Sequence, residues 1–187
     1  MNWFAFSAQN NFAQHLAPLM GHDNLKALQI GVFTGDASDW LLYFVLSGEG
    51  STLDDVDTWS GSAEHDDIDF SLVEAVYDER FSELEEGRLR KHKMTSDEFF
   101  AECSEIYDFI YIDGDHTAAQ VAVDAKNAHE HLKVGGFLAF DDYEWNPGDF
   151  DEMQTPRPAI DAFLESPYME HYELLGKNLQ VWLRRVS

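Results

Sequence analysis

Much about this 187-residue chain follows from what it lacks. It has one cysteine, Cys103, so no intramolecular disulfide framework can form and a reducing, cytoplasmic setting is expected. Cys103 follows Phe99 and Phe100 in a helical stretch, where a buried, inert thiol is expected. No apolar run approaches the roughly 18 residues of a membrane span; the longest, Trp40 to Leu46, has seven. The first residues, with Asn10 and Asn11 and no early Lys or Arg, do not read as a signal peptide. Basic residues are scarce: 12 Lys and Arg stand against 36 Asp and Glu, a formal net charge of -24. Nucleic acid and anionic membrane surfaces demand clustered cations, so neither is expected as a partner.

What is present suffices for a core. Hydrophobic residues make up 44% and aromatics 14%, close to globular usage, so most of the charge reads as a solvated surface. With no repeat and no linker, the expectation is one domain over 1–187, with 1–25 as a helical segment packed on it.

Short β-rich runs alternate with helical patterns, which predicts a parallel sheet with crossover helices. The strands are Lys26 to Phe33, Thr52 to Thr58, Leu89 to Met94, Tyr107 to Asp113, and Phe137 to Phe140. Helices are expected at about 37–46, 70–80, 97–104 and 118–132, the last ended by Gly135-Gly136. In the first of them Trp40, Leu41, Phe44 and Val45 read as core. An acidic loop, 64–69, precedes the helix at 70. His129 and His131 read as surface residues. A long loop, 143–158, holds Trp145 and Pro156-Arg157-Pro158 over the sheet edge. A helix at 159–165 follows, then a hairpin of 171–175 and 179–183 turning at Gly176-Lys177-Asn178. The predicted fold is therefore α/β: a Rossmann-like, doubly wound, seven-stranded, mostly parallel sheet with a C-terminal antiparallel hairpin.

Such sheets bind ligands outside the carboxyl ends of their strands. Those ends carry Gly31 to Asp36, then Asp57, Asp113, and Asp141-Asp142. Four carboxylates on one edge repel one another, so a cation is expected among them. The turn Gly31-Val-Phe-Thr-Gly35 lets a ligand approach the backbone, but it is not Gly-x-Gly-x-x-Gly, which argues against a nicotinamide oxidoreductase. Asp57, 22 residues past Gly35, stands where a carboxylate would hold a ribose diol. A ribose ligand without pyrophosphate satisfies both facts, and the sulfonium of S-adenosylmethionine suits an acidic pocket.

Four motifs carry a resemblance: Leu28 to Gly35, Val56-Asp57-Thr58-Trp59-Ser60-Gly61-Ser62, Phe109 to His116, and Leu132 to Phe137 with Asp141-Asp142-Tyr143. In this order they resemble the class I S-adenosylmethionine-dependent methyltransferases, a small single-domain group similar to the metal-dependent catechol and caffeoyl-CoA O-methyltransferases. The resemblance implies that Gly31, Thr34 and Gly35 line the methionine part of the cofactor. Asp57 would hold the ribose, with Thr58 and Trp59 near the adenosine, while Met94, Thr95 and Ser96 would lie against adenine. It further implies a divalent ion, magnesium by its oxygen donors, on Asp113, Asp141 and Asp142. Asp113 would also face the cofactor. His116 stands where relatives carry a catalytic lysine and would take the acceptor's proton; capping the following helix or touching cofactor is the alternative. Gln29 replaces the acid common on the first strand, and Asp36-Ala37 leaves Ser38 to supply a hydroxyl contact.

The function so implied is methylation of a small-molecule hydroxyl with a divalent metal. Metal-independent transfer, or a non-catalytic cofactor-binding or interaction protein of the same fold, are the alternatives. A homodimer stays open.

Overall fold

The computed structural model describes residues 3–61, 68–146, 148 and 151–187. Two short helices, α1 (Trp3–Ser7) and α2 (Gln9–His15), lead into β1 (Lys26–Ile30), α3 (Asp36–Trp40), β2 (Thr52–Asp57) and α4 (Phe70–Arg80). Then come β3 (Leu89–Lys93), α5 (Ser96–Glu102), β4 (Tyr107–Ile112), α6 (Ala118–His131) and β5 (Leu132–Phe140). The chain continues through α7 (Arg157–Glu165), β6 (Tyr172–Lys177) and β7 (Val181–Arg185).

The seven strands order as β3-β2-β1-β4-β5-β7-β6. The first five are parallel, and β7 runs antiparallel to both β5 and β6. The chain steps outward from β1 to β3 and then returns to lay β4 beside β1. That switch point opens a crevice at the carboxyl ends of the strands.

Both faces of the sheet are covered, which is why its central strands read as nearly unbroken apolar runs. Leu28, Ile30, Ile110 and Ile112 pack on one side against Val121 and Ala125 of α6 and Ile160 of α7. Ala27, Phe109 and Tyr111 pack on the other against Phe12 of α2 and Trp40 of α3. Phe12 sits edge-on to Phe109, Tyr111 and Trp182, so the N-terminal segment supplies an aromatic plug for that face.

Several local expectations are corrected. The first helix changes pitch: Leu41–Val45 form a π-helical turn closed by the Leu46 N–H on the Leu41 carbonyl, 2.8 Å. Trp40, Leu41 and Val45 stay buried, but Phe44 faces solvent. Gly135-Gly136 end no helix. They lie inside β5, where its register with β4 shifts, and a Cβ on Gly136 would stand 2.9 Å from the Asp108 carbonyl oxygen. A glycine suits such an irregular, close backbone approach. The hairpin turns at Asn178 to Gln180, while Gly176 sits within β6 at a second register shift.

Arg157 and Pro158 belong to the first turn of α7 rather than to a loop. His129 and His131 are half-buried, bonding the Tyr172 hydroxyl and the Glu105 carbonyl, so neither is a free surface residue. Cys103 is half-buried beside the Tyr107 hydroxyl. Of the acidic loop at 64–69, residues 64–67 lie outside the described residues; Asp69 caps α4 by accepting from the Ser71 N–H.

Candidate functional site

The β1 and β2 ends form one half of the crevice. Gly31 and Gly35 both adopt positive φ, 81° and 78°, and a Cβ on Gly31 would overlap the Asp113 carbonyl oxygen at 1.8 Å. That position tolerates only glycine. Phe33 also turns left-handed, and the carboxylate of Asp57 holds the resulting loop. One oxygen accepts from the N–H groups of Val32 (2.8 Å) and Phe33 (3.0 Å), and the other from Trp59 (2.7 Å). Gln29 is buried, donating to the Gly31 carbonyl and accepting from Ser38, which is itself fully buried. Here Gln29 and Ser38 brace the turn from beneath.

Trp59 also turns inward. It is 4% exposed, packs its ring at a tilt against Tyr77, and donates its indole N–H to the Phe33 carbonyl. The Thr34 hydroxyl donates to Asp36, and the Thr58 hydroxyl accepts from the Ser60 N–H. Thr95 caps α5 in a reciprocal pairing with Glu98, and the Ser96 hydroxyl accepts from Gln120. These side chains are committed to local structure around the crevice.

The β4 and β5 ends form the other half, and there charge accumulates. Asp113 leaves β4, Asp141 and Asp142 leave β5, and His116 lies one short turn past Asp113. The His116 Nε2 is 3.1 Å from an Asp142 oxygen and 3.9 Å from an Asp113 oxygen. Asp113, His116 and Asp142 each offer a donor atom, all within 4.8 Å of one another. Asp141 points elsewhere: it accepts from the buried Tyr111 hydroxyl and from the Asp142 N–H. The grouping is therefore Asp113, His116 and Asp142, with His116 in the place the sequence suggested for Asp141.

Electrostatics mark this half as unusual. Desolvation, followed by the charge on Asp141, pushes the Asp113 carboxyl well above the ordinary range, with His116 opposing. Asp141 is pushed up to about 6 by burial and the neighbouring Asp142, opposed by its Tyr111 and Asp142 N–H bonds. A small, partly open pocket lies beside them, lined by Asp113, His116 and Asp141 and by the apolar Ile112, Phe140 and Ile160. Trp145 lays its ring 4.9 Å from that of His116.

Sequence reading missed Tyr111 and Gln180 as parts of this site. The available signal was a lone amide at the entry to a buried apolar strand, since Gln180 is wholly buried next to Val181 and Trp182.

Residues 28–143 match the family model described as a methyltransferase domain. This chain belongs to that family. A relative from Acanthamoeba polyphaga mimivirus, uncharacterized protein R132, is 32% identical over 72 residues; that match spans 37% of this chain and 32% of the relative's length. A candidate rRNA methylase from Clostridium thermocellum shares the fold at a TM-score of 0.72 and 12% identity, covering 97% of this chain and 96% of its own. The MycE methyltransferase of the mycinamycin biosynthetic pathway, solved with Mg and SAH, superposes at 0.62 and 15% identity over 95% of this chain and 49% of its own. The methyltransferase family and the observed strand order agree with the fold expected from sequence. Among the described residues, no helix is long and apolar enough to cross a membrane.

Proposed function

We propose that the chain is a single-domain S-adenosylmethionine-dependent methyltransferase that methylates a hydroxyl on a small molecule, with a divalent ion at the β4 and β5 ends. The observation that carries this reading is the convergence of Asp113, His116 and Asp142 beside the glycine turn.

The residues present fit both groups. Gly31 to Gly35 offer a backbone without bulk at both glycines, and Asp57 is half-buried, with the oxygen that accepts only from Trp59 retaining capacity for a ribose hydroxyl. Two carboxylate oxygens and an imidazole nitrogen form a donor set for a divalent ion. When bound, the cofactor supplies a methyl group on a sulfonium and the ion lowers the acceptor hydroxyl's pKa. MycE, crystallised with both Mg and SAH, supports this pairing.

The chain's own residues then divide the work. Asp113 and Asp142 would hold the ion, and His116 Nε2 would accept the hydroxyl proton, with both carboxylates stabilising the imidazolium. The grouping within 4.8 Å also favours a second reading, in which His116 is itself a ligand. His116→Ala separates them: a base loses turnover by about 100-fold but keeps the ion, whereas a ligand loses both.

The acceptor should be neutral or cationic. Asp113, Asp115 and Asp141 line the cavity, and the following loop adds exposed Glu144, Asp151 and Glu152. Arg157 lies near the cavity, but Tyr143 and Asp161 engage it. Phosphorylated or CoA-linked acceptors, and rRNA, would meet this field unfavourably.

Titration calorimetry with S-adenosylmethionine and with NAD is the direct test. Binding of the first alone is expected; no heat with S-adenosylmethionine overturns the proposal.

A further inference from the structure

Asp142 adopts φ 56°, in the left-handed region that a non-glycine residue occupies at a cost. Something must hold it there, because this conformation sets its carboxylate 3.1 Å from His116 Nε2. The hold is visible one residue back: an Asp141 oxygen accepts the Asp142 N–H at 2.8 Å. Asp141 is itself fixed from within the sheet. Its other oxygen accepts from the Tyr111 hydroxyl, whose own oxygen accepts from the Gln180 amide at 3.4 Å.

Gln180 in turn is pinned at both ends. Its carbonyl oxygen accepts from the Trp182 indole N–H (3.0 Å) and from Asn11 of α2 (2.9 Å), and its backbone N–H donates to Asn178. Tyr111, Gln180 and Trp182 are almost completely buried. Low dielectric and full occupancy make such a chain stiff, so its last member is held in place rather than left to sample rotamers. Phe12 of α2 also packs edge-on against the Tyr111 ring, which fixes the donor's position from the same segment.

We infer that Tyr111 and Gln180 are positioning residues that act through Asp141 to lock Asp142 in the backbone conformation presenting its carboxylate to His116, with Asn11 tying this lock to the N-terminal helices. This gives the inward-turned Asp141 a role, and gives α2 a link of four hydrogen bonds to the site. The functional weight of the inference rests on the proposed ion site, while its geometric content does not.

The test uses the full chain without cofactor. NMR reads the Asp142 amide and the His116 ring signals, and Mn2+ titration reads ion affinity. Tyr111→Phe keeps the ring but removes the donor. Its expected effect is displaced Asp142 and His116 signals with the Trp59 indole signal unmoved, and Mn2+ affinity about tenfold weaker, as for other outer-shell partners of ligands. Asn11→Ala, at the half-buried end of the chain, should shift the same signals less.

Unmoved Asp142 and His116 signals in folded Tyr111→Phe would overturn the inference. So would signals that move uniformly across the protein, since that marks a merely structural role. If Tyr111→Phe does not fold, the same two signals in Asn11→Ala decide. If the wild-type chain takes up no Mn2+, the ion reading fails alone, and the displaced Asp142 amide still supports the lock.

Discussion

At the β1 and β2 ends a carboxylate is answered by backbone, whereas at the β4 and β5 ends carboxylates face one another. Asp57 accepts three N–H groups and thereby builds the glycine turn. Asp113, Asp141 and Asp142 share one imidazole and one phenol, and burial with mutual repulsion raises two of them. The first half is electrostatically closed and needs only a shape to bind. The second half carries negative charge that its own hydrogen bonds do not cancel, which is the condition under which a cation gains most by arriving.

The largest effect should come from opening the closed half. Asp57→Ala strands the N–H groups of Val32, Phe33 and Trp59. Three hydrogen bonds to a charged acceptor, each near the low end of the usual range because the group is half-exposed, give a loss of about 4 kcal/mol. Urea unfolding should show it, together with lost S-adenosylmethionine affinity. A variant with both properties intact would mean that the turn is held by its glycines and by Gln29 rather than by Asp57.

The closed half also hides one charge that is not answered. On β2, adjacent Asp54 and Asp55 are both buried. Asp54 meets Arg90, His92 and the Tyr107 hydroxyl, and although burial opposes them these partners hold its carboxyl below the ordinary range. Among the described residues Asp55 accepts only from the Tyr77 hydroxyl, its other oxygen is buried without a partner, and burial pushes it up to about 7. A folded-state pKa above the unfolded value of 3.8 means that the folded protein keeps a proton the unfolded chain releases. Stability is then fullest below 3.8 and declines as pH rises to about 7. Asp124, pushed up to about 6 chiefly by burial, adds a decline of the same sign. The urea midpoint should fall between pH 5 and pH 8, and Asp55→Asn should flatten that fall by about 3 kcal/mol. An unchanged slope would place the titration elsewhere.

How much of this was legible follows the same division. Strand ends could be found where buried parallel strands are nearly continuous apolar runs, as in β4 and β5, which stop at Asp113 and Asp141, while β1 and β2 are interrupted by Gln29 and by Asp54-Asp55 before they end at Gly31 and Asp57. The four acids on one edge were therefore readable as a set. Side-chain direction was not, since it depends on the backbone leaving each strand. Asp142 is left-handed, so its carboxylate joins Asp113 and His116 while Asp141 turns to Tyr111. Trp59 likewise follows its own left-handed backbone, which sends an expected adenosine neighbour into the core beside Tyr77. Gly135-Gly136 misled because glycine ends helices and also marks irregular strands, and only the register of β5 against β4 separates the two.

That direction gives the smallest predicted effect and the sharpest cut between the two adjacent acids. An ion that binds only the folded state stabilises it by about 2.7 kcal/mol at 100 times its dissociation constant. Asp142→Asn removes a charged donor from the group of three, so most of that increment should vanish. Asp141→Asn keeps an oxygen for the Asp142 N–H and an amide facing Tyr111, so most of it should remain. The readout is the shift of the thermal midpoint on adding Mn2+ or Mg2+ to each variant, against a shift of zero expected for both if no ion binds. Should Asp141→Asn lose the increment as completely as Asp142→Asn while the Asp142 carboxylate stays at His116, as read from an unmoved His116 ring signal, Asp141 would be a ligand, and its bond to Tyr111 would have to break as the ion enters.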